Sequence, residues 1–315
     1  MSSAEATVEG GEVLQLSSAR STDTRPRVKP KLYHFPTSLG SQQARLVLAE
    51  RQLEWEGEIV NTGPADEHYE PAYARLNPLL DVPTLALGDT VVTGTVEITK
   101  YLCEHFEGPR LLPEDPEERE EVERWVALQA QFPMDKLGFA RTKGVVRWIL
   151  RWNLHRERKK LRKHARRNPD LRELYEAKEA ELAELDQIIR DRKAMNALVD
   201  EVEVLLDEIE DTLEQREWLA GSRYSLADLM WTAVIARLEH IGFARSLADH
   251  RRPRVARWYA RIRERPSWGA MIRRLSAMQA LRFYGPAVAK GFLLFWVLKW
   301  ALVIGLGWLI AHLSS

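Results

Sequence analysis

Asn77-Pro78-Leu79-Leu80-Asp81-Val82-Pro83-Thr84-Leu85-Ala86-Leu87-Gly88-Asp89-Thr90-Val91-Val92 is the stretch that decides the fold. Val82-Pro83-Thr84-Leu85 begins a strand, and Gly88-Asp89 between Leu87 and Val91-Val92 is a hairpin turn signal. Outward toward the N-terminus come a short helix over Pro71 to Leu76 and a strand at Glu58-Ile59-Val60. Before them lies an amphipathic helix with Ala44, Val47 and Leu48 on one face, preceded by a turn over Pro36 to Gly40 and a strand through Leu32, Tyr33 and Phe35. In the other direction a helix runs from about Thr95 to Phe106, with Val96, Ile98, Tyr101 and Leu102 as candidate core residues. The order β-α-β-α-β-β-α, read from Lys31 onward, predicts a mixed sheet with helices packed on it.

Glu107 to Pro116, with Gly108, Pro109, Pro113 and Pro116, reads as a linker, and every later pattern is helical. Val122, Trp125, Val126 and Gln129 begin one stripe, and Leu171, Leu174, Lys178, Leu182, Leu185 and Ile189 mark another. Leu198, Val202, Leu205, Ile209 and Leu213 form a face of period 3.6. Ser225-Leu226-Ala227-Asp228 is a capping box with Asp in place of the usual Glu or Gln. Between these lies a charged insertion. Arg141 to Arg167 holds twelve bases and one acid, Glu157, whereas Asp170 to Glu217 holds seventeen acids and six bases. Either two solvated helices attract each other through opposite charges, or the basic stretch, with Trp148 and Trp152 four apart, meets anionic lipid or a partner.

Composition narrows the classes. A hydrophobic fraction of 45% permits packed cores, and zero net charge gives no global field for nucleic acid, which is not expected as a partner. One cysteine, Cys103, excludes an intrachain disulfide; its apolar setting suits a core thiol. The histidines lack ligand spacing, so no metal is expected. Residues 1–29 read as a disordered lead-in rich in Ser, Thr, Glu and Gly, without the apolar core of a signal peptide. Gly291 to Leu313 is apolar on all sides with one charge, Lys299, and at 1.5 Å per residue reaches about 34 Å against a hydrocarbon core of about 30 Å. Residues 286–315 are therefore expected to be a single-pass C-terminal transmembrane helix in contact with membrane lipid. Arg273, Arg274, Arg282 and Lys290 precede the segment and no base follows it, which sets the folded domains on the cytoplasmic side.

Leu32-Tyr33 closing into Ser38, Asn77-Pro78 leading to Val82-Pro83-Thr84-Leu85, and the Ser225-to-Asp228 box resemble cytosolic glutathione transferases over roughly residues 30 to 275. Ser41-Gln42-Gln43-Ala44-Arg45-Leu46-Val47, Pro133-Met134-Asp135, Asn168-Pro169-Asp170-Leu171 and Gly242-Phe243-Ala244-Arg245 resemble the ganglioside-induced differentiation-associated branch, which shares a long insertion and an apolar tail. The resemblance implies an α/β thioredoxin-like N-terminal domain over 30–107. It implies an all-α glutathione-transferase C-terminal domain over 108–285, with the insertion at about 140–195. It also implies glutathione as substrate, no metal, and a homodimer as an open question.

A glutathione site must hold a thiol as thiolate at neutral pH, and a hydroxyl donor beside a helix N-terminus does this. By the resemblance Ser38 is the catalytic hydroxyl; read by itself, it serves equally as a helix cap. Ser41 suits a structural role. Val82 and Pro83 match the cis-proline position where glutathione pairs with backbone, and Thr95 offers a hydroxyl at a helix N-terminus for the γ-glutamyl end. Relatives place an acid or amide where Gly94 stands, so binding is expected to be weak, and Gly94→Glu is expected to tighten it. Two functions follow. One is a membrane-tethered transferase of weak activity that conjugates glutathione to hydrophobic electrophiles. The other is a non-catalytic adaptor that keeps the fold and acts on lipids or partner proteins, the role the narrower branch implies.

Overall fold

The structure is a computed structural model that describes residues 29–271, apart from Arg141, Lys143 and Asp249, and a few positions between 278 and 289. The expected lead-in up to residue 28 and the apolar segment Gly291–Leu313 lie outside the described residues. Among the described residues no helix is long and apolar enough to cross a membrane.

Four short strands form one sheet in the order β2-β1-β3-β4: β1 Lys31–His34, β2 Glu56–Ile59, β3 Thr84–Leu87 and β4 Thr90–Thr93. β1 runs parallel to β2 and antiparallel to β3, with Leu32 opposite Leu85. Gly88, at φ +57, makes the turn from β3 to β4. Helices α1 (Leu39–Glu50) and α3 (Thr95–His105) cover one face with Leu46, Val47, Ile98 and Leu102. Phe35, Val60, Tyr73 and Val82 gather beside α2 (Pro71–Leu76) in a smaller cluster. The thioredoxin-like arrangement is therefore present. Two candidate core residues, Val96 and Tyr101, are only half-buried; Tyr101 stacks on His105 at 4.0 Å, one turn along the same helix.

The helical domain contains α4 (Pro116–Ala130), α5 (Met134–Ala140), α6 (Gly144–Arg167), α7 (Arg172–Ile188), α8 (Arg192–Gln215), α9 (Leu226–Leu238), α10 (Pro253–Arg263) and α11 (Trp268–Met271). Every residue of α9 except Arg237 is buried. Its first turn is held by Asp228, a fully buried carboxylate that accepts from Leu219 N (3.0 Å), Ser225 N (3.0 Å), Ser225 Oγ (3.1 Å) and Trp258 Nε1 (2.8 Å). The capping box read from the sequence is complete. α9 then packs on α1, where Gln43 Nε2 donates to the Met230 carbonyl at 2.8 Å. Arg45, buried on α1, donates to the carbonyls of Ala270 (3.1 Å) and Met271 (2.7 Å). The two domains thus share one main core.

The charged insertion is the hairpin α6–α7, whose Leu154, Leu161, Ala165, Tyr175, Leu182 and Ile189 share a second core with Tyr69, Ala74 and Leu80 of the thioredoxin-like domain. Arg158 pairs with Glu179 (2.9 Å) and Arg151 with Asp186 (3.4 Å), so part of the internal charge attraction expected from the sequence is present. Other bases point elsewhere. Arg156 makes a two-pronged contact with buried Asp66 (2.5 and 3.1 Å), and Lys160 reaches Glu70 at 2.8 Å. Arg75 meets Asp170 at 2.8 Å, and the Tyr175 hydroxyl donates to the Tyr69 carbonyl at 3.0 Å. The hairpin therefore braces the thioredoxin-like domain from the side of α2.

Replacing Asp228 by Ala orphans the buried Trp258 and Leu219 N–H groups. Each such loss is worth about 1–3 kcal/mol, so urea unfolding should show a stability loss of about 3 kcal/mol or more. A second outcome concerns Glu157, which accepts from Tyr69 OH at 3.3 Å. Burial, reinforced by the nearby Asp66 carboxylate, pushes its pKa from 4.5 up to about 7. Between those values the folded chain keeps a proton that the unfolded chain releases, so this group's contribution to stability falls as pH rises through the window. Buried His68, held neutral with its pKa lowered to about 3, contributes the opposite slope. The readout is therefore the stability of wild type minus that of Glu157→Gln, measured by urea unfolding across the window, and the difference should decline with rising pH.

Candidate functional site

The candidate site is built where three chain segments meet: the start of α1, the Val82-Pro83 bend before β3 and the start of α3. Gly40 in the first turn of α1 shows how closely they approach. A Cβ there would overlap the Thr95 hydroxyl and lie 2.9 Å from Pro83 Cδ, so only glycine lets α1 enter this corner. The Val82-Pro83 peptide bond is cis, as expected.

Ser38 is the N-cap of α1. Its Oγ accepts from Ser41 N at 3.3 Å and donates to the Val82 carbonyl at 3.2 Å. The capping role is thus real, and the same hydroxyl reaches the segment through which a peptide ligand would pair. Ser41 is structural: it is fully buried and its Oγ accepts from Phe35 N at 3.2 Å. The turn from Phe35 to Ser38 is clamped by Arg45, which donates to the Pro36 carbonyl at 2.9 Å, and by Arg237 of α9, which donates to the Thr37 carbonyl and to Gln42 Oε1 (3.1 Å). Desolvation lowers the pKa of Arg237. Sequence reasoning missed this residue, because nothing local to α9 signals a contact with residue 37.

The bend before Pro83 is fixed by Asn77. Its Nδ2 donates to the Asp81 carbonyl (3.0 Å) and to Thr84 Oγ1 (2.9 Å), while its Oδ1 accepts from Leu79 N (2.9 Å). Tyr73 OH adds a bond to the Asp81 carbonyl at 2.8 Å. These bonds set the place of Val82 and are the physical content of the Asn77-Pro78 motif.

Thr95 is the first residue of α3, and Gly94 caps that helix at φ +84 without a side chain. The Glu97 carboxylate folds back over Gly94 and fills the space a side chain at 94 would take. Gly94→Glu, expected from the sequence to tighten glutathione binding, would set its side chain against the exposed Glu97 carboxylate from a backbone conformation that non-glycine residues rarely adopt.

Two helix N-termini and the hydroxyls of Ser38 and Thr95 thus face one corner, an arrangement suited to holding anionic ligand groups. Cys103 takes no part. It is half-buried against the main core, and burial pushes its thiol up to about 12. Among the described residues no group of side chains is placed to hold a metal. A cavity of about 470 Å³ opens away from this corner, beside Trp148 and Trp152 of α6.

Comparison with known proteins gives the same outline. Residues 32–110 match the glutathione S-transferase N-terminal domain and residues 166–266 the glutathione S-transferase C-terminal domain. The chain is 31% identical over 237 residues to tetrachloro-p-hydroquinone reductive dehalogenase of Sphingobium chlorophenolicum, covering 75% of this chain and 93% of that one. Glutathione S-transferase TCHQD of Arabidopsis thaliana is 30% identical over 246 residues, covering 78% and 90%. Human ganglioside-induced differentiation-associated protein 1-like 1 is 28% identical over 279 residues, covering 76% and 72%. The solved β-etherase LigF of Sphingobium sp. strain SYK-6 superposes with a TM-score of 0.60 at 22% identity, covering 77% and 98%, which speaks to fold alone.

Gly94→Glu should lower stability by about 1–3 kcal/mol, the cost of forcing a side chain into this backbone region beside a like charge, as read by urea unfolding.

Proposed function

Because the chain belongs to the glutathione S-transferase family, we propose that it binds glutathione at the corner of Ser38, Val82, Pro83 and Thr95 and conjugates it through its sulfur, with weak activity, to hydrophobic electrophiles, tethered to a membrane by residues 286–315. The observation that carries the reading is the Ser38 hydroxyl donating to the Val82 carbonyl, at the N-terminus of α1. The cysteinyl part of glutathione pairs with the Val82 backbone as an added strand, and its N–H takes over the carbonyl that Ser38 now occupies. The Ser38 O–H is then free to turn to the sulfur. With the helix N-terminus, it favours the thiolate over the thiol. The thiol proton leaves to solvent, the sulfur lone pair forms the S–C bond, and the leaving group departs with the electrons of the bond it breaks. The start of α3 at Thr95 takes the γ-glutamyl carboxylate, and Glu97, folded over Gly94, offers the carboxylate that the ammonium group needs.

The apolar 23-residue segment Gly291–Leu313, preceded by Arg273, Arg274, Arg282 and Lys290, supports a single-pass anchor with the folded domains on the cytoplasmic side. The missing side chain at Gly94 and the likeness to ganglioside-induced differentiation-associated protein 1-like 1 support a second reading, a fold retained for adaptor work at the membrane.

Calorimetric titration of glutathione into the full chain separates the two. Millimolar affinity, about −4 kcal/mol, is expected, and Glu97→Gln should weaken it further. Ser38→Ala should raise the pKa of the bound thiol by about 1–2 units, read from thiolate absorbance, and lower kcat/KM by about ten- to a hundredfold. Ser38→Thr should restore both. A thiol pKa unmoved by Ser38→Ala leaves Ser38 as a cap only, and no heat of binding at millimolar glutathione favours the adaptor.

A further inference from the structure

The hairpin α6–α7 consumes many of its bases in ion pairs, and what it leaves over is organised. Arg151, Arg156, Arg158, Lys160 and Arg162 each lie within 4 Å of an acid on α7 or on the thioredoxin-like domain. Lys159, Lys163, Arg166 and Arg167 form no ion pair among the described residues, and all four are exposed. Three of them fall on one line with three ring-bearing side chains: Trp148, Trp152, His155, Lys159, Lys163 and Arg166, every one exposed. Steps of four, three, four, four and three residues keep these side chains on one helical face. The buried residues Leu154, Leu161 and Ala165 lie on the opposite side. The line runs through 18 residue steps, about 27 Å of helix.

The two halves of the line differ in chemistry. Its N-terminal half exposes Trp148 at 65%, Trp152 at 54% and, beside them, Ile149 at 43%, an apolar cost that a helix facing only water has no reason to bear. Its C-terminal half exposes unneutralised cations. We propose that this face of α6 lies flat on an anionic lipid surface, the indoles seated at the boundary between headgroups and acyl chains and Lys159, Lys163 and Arg166 on lipid phosphates. Two observations favour lipid over an acidic protein or a nucleic acid. Indole rings suit the boundary region, where one edge is apolar and the other wet. Among the described residues Lys159, Lys163 and Arg166 stand outside every ion pair and share the exposed face, so they complement a planar negative surface. The reading stands on α6 and does not depend on glutathione binding. It also gives the insertion two faces with two jobs, one gripping Asp66 and Glu70 and the other gripping the membrane.

The test uses the full chain with Cys103→Ser and His155→Cys, labelled at residue 155 with an environment-sensitive nitrobenzoxadiazole. It is mixed with vesicles of phosphatidylcholine alone or with phosphatidylglycerol added, some carrying brominated acyl chains. The probe should shift to the blue and be quenched by bromine only with phosphatidylglycerol, and high salt should reverse both changes. The triple variant K159E/K163E/R166E should need about a hundredfold more anionic lipid for the same shift, while circular dichroism stays unchanged. Flotation with phosphatidylcholine alone, or in high salt, reads the C-terminal anchor separately. A chain that floats while its probe is silent, or shifts equally with both lipids, overturns the α6 proposal and leaves the anchor standing. A chain that floats only with phosphatidylglycerol vesicles and only at low salt, with a shift that salt reverses, upholds α6 without the anchor. A shift produced by duplex DNA without lipid, or one that grows with protein concentration alone, also overturns it.

Discussion

The carboxylate of Asp228 accepts four hydrogen bonds from a loop, a cap and a tryptophan on another helix, all out of water. A buried charge is tolerated only when its lone pairs are met in this way. The consequence is positional. Asp228 fixes where α9 begins, and α9 is buried along nearly its whole length because it is the post around which α4, α10 and α1 are arranged. α1 lies on α9 through Gln43, and Arg237 from the far end of α9 reaches the Thr37 carbonyl. Ser38 therefore owes its position to a carboxylate 190 residues away in the chain.

At the site the same atoms serve structure and chemistry. Ser38 satisfies an orphan N–H of α1 and also touches Val82, and Asn77 closes the loop that sets Val82 in place. Gly40 is needed for the close approach of α1 to Thr95 and Pro83. Gly94, which read as a loss in the sequence, is a backbone solution: its positive φ starts α3, and Glu97 swings into the room that the absent side chain leaves. An acid one turn further on thus occupies ground that a sequence comparison assigns to residue 94.

The insertion shows how a large charge imbalance is made compatible with a fold. Ion pairs at the protein surface contribute little singly, but Arg156 with Asp66 and Arg158 with Glu179 are set among buried apolar residues of the hairpin and act together with its packing. The unpaired bases are those that geometry turns outward.

Local signals determined much of this protein. The Gly88-Asp89 turn, the Val82-Pro83 bend, the period of α8 and the Ser225-to-Asp228 box each follow from interactions between residues close in the chain, and each is where the sequence places it. The gathering of Ser38, Val82 and Thr95 was legible only through resemblance. Three different helix starts and bends meet there, and no periodicity encodes their distance. Only the tertiary structure decided that Arg237 clamps the turn at Thr37, that Glu97 covers Gly94, and which bases of α6 are spent on Asp66, Glu70 and α7. Charge counts fix how many cations a helix carries. Which of them face an acid depends on the rotation of that helix against neighbours far away in sequence, and burial of Leu154, Leu161 and Ala165 sets that rotation.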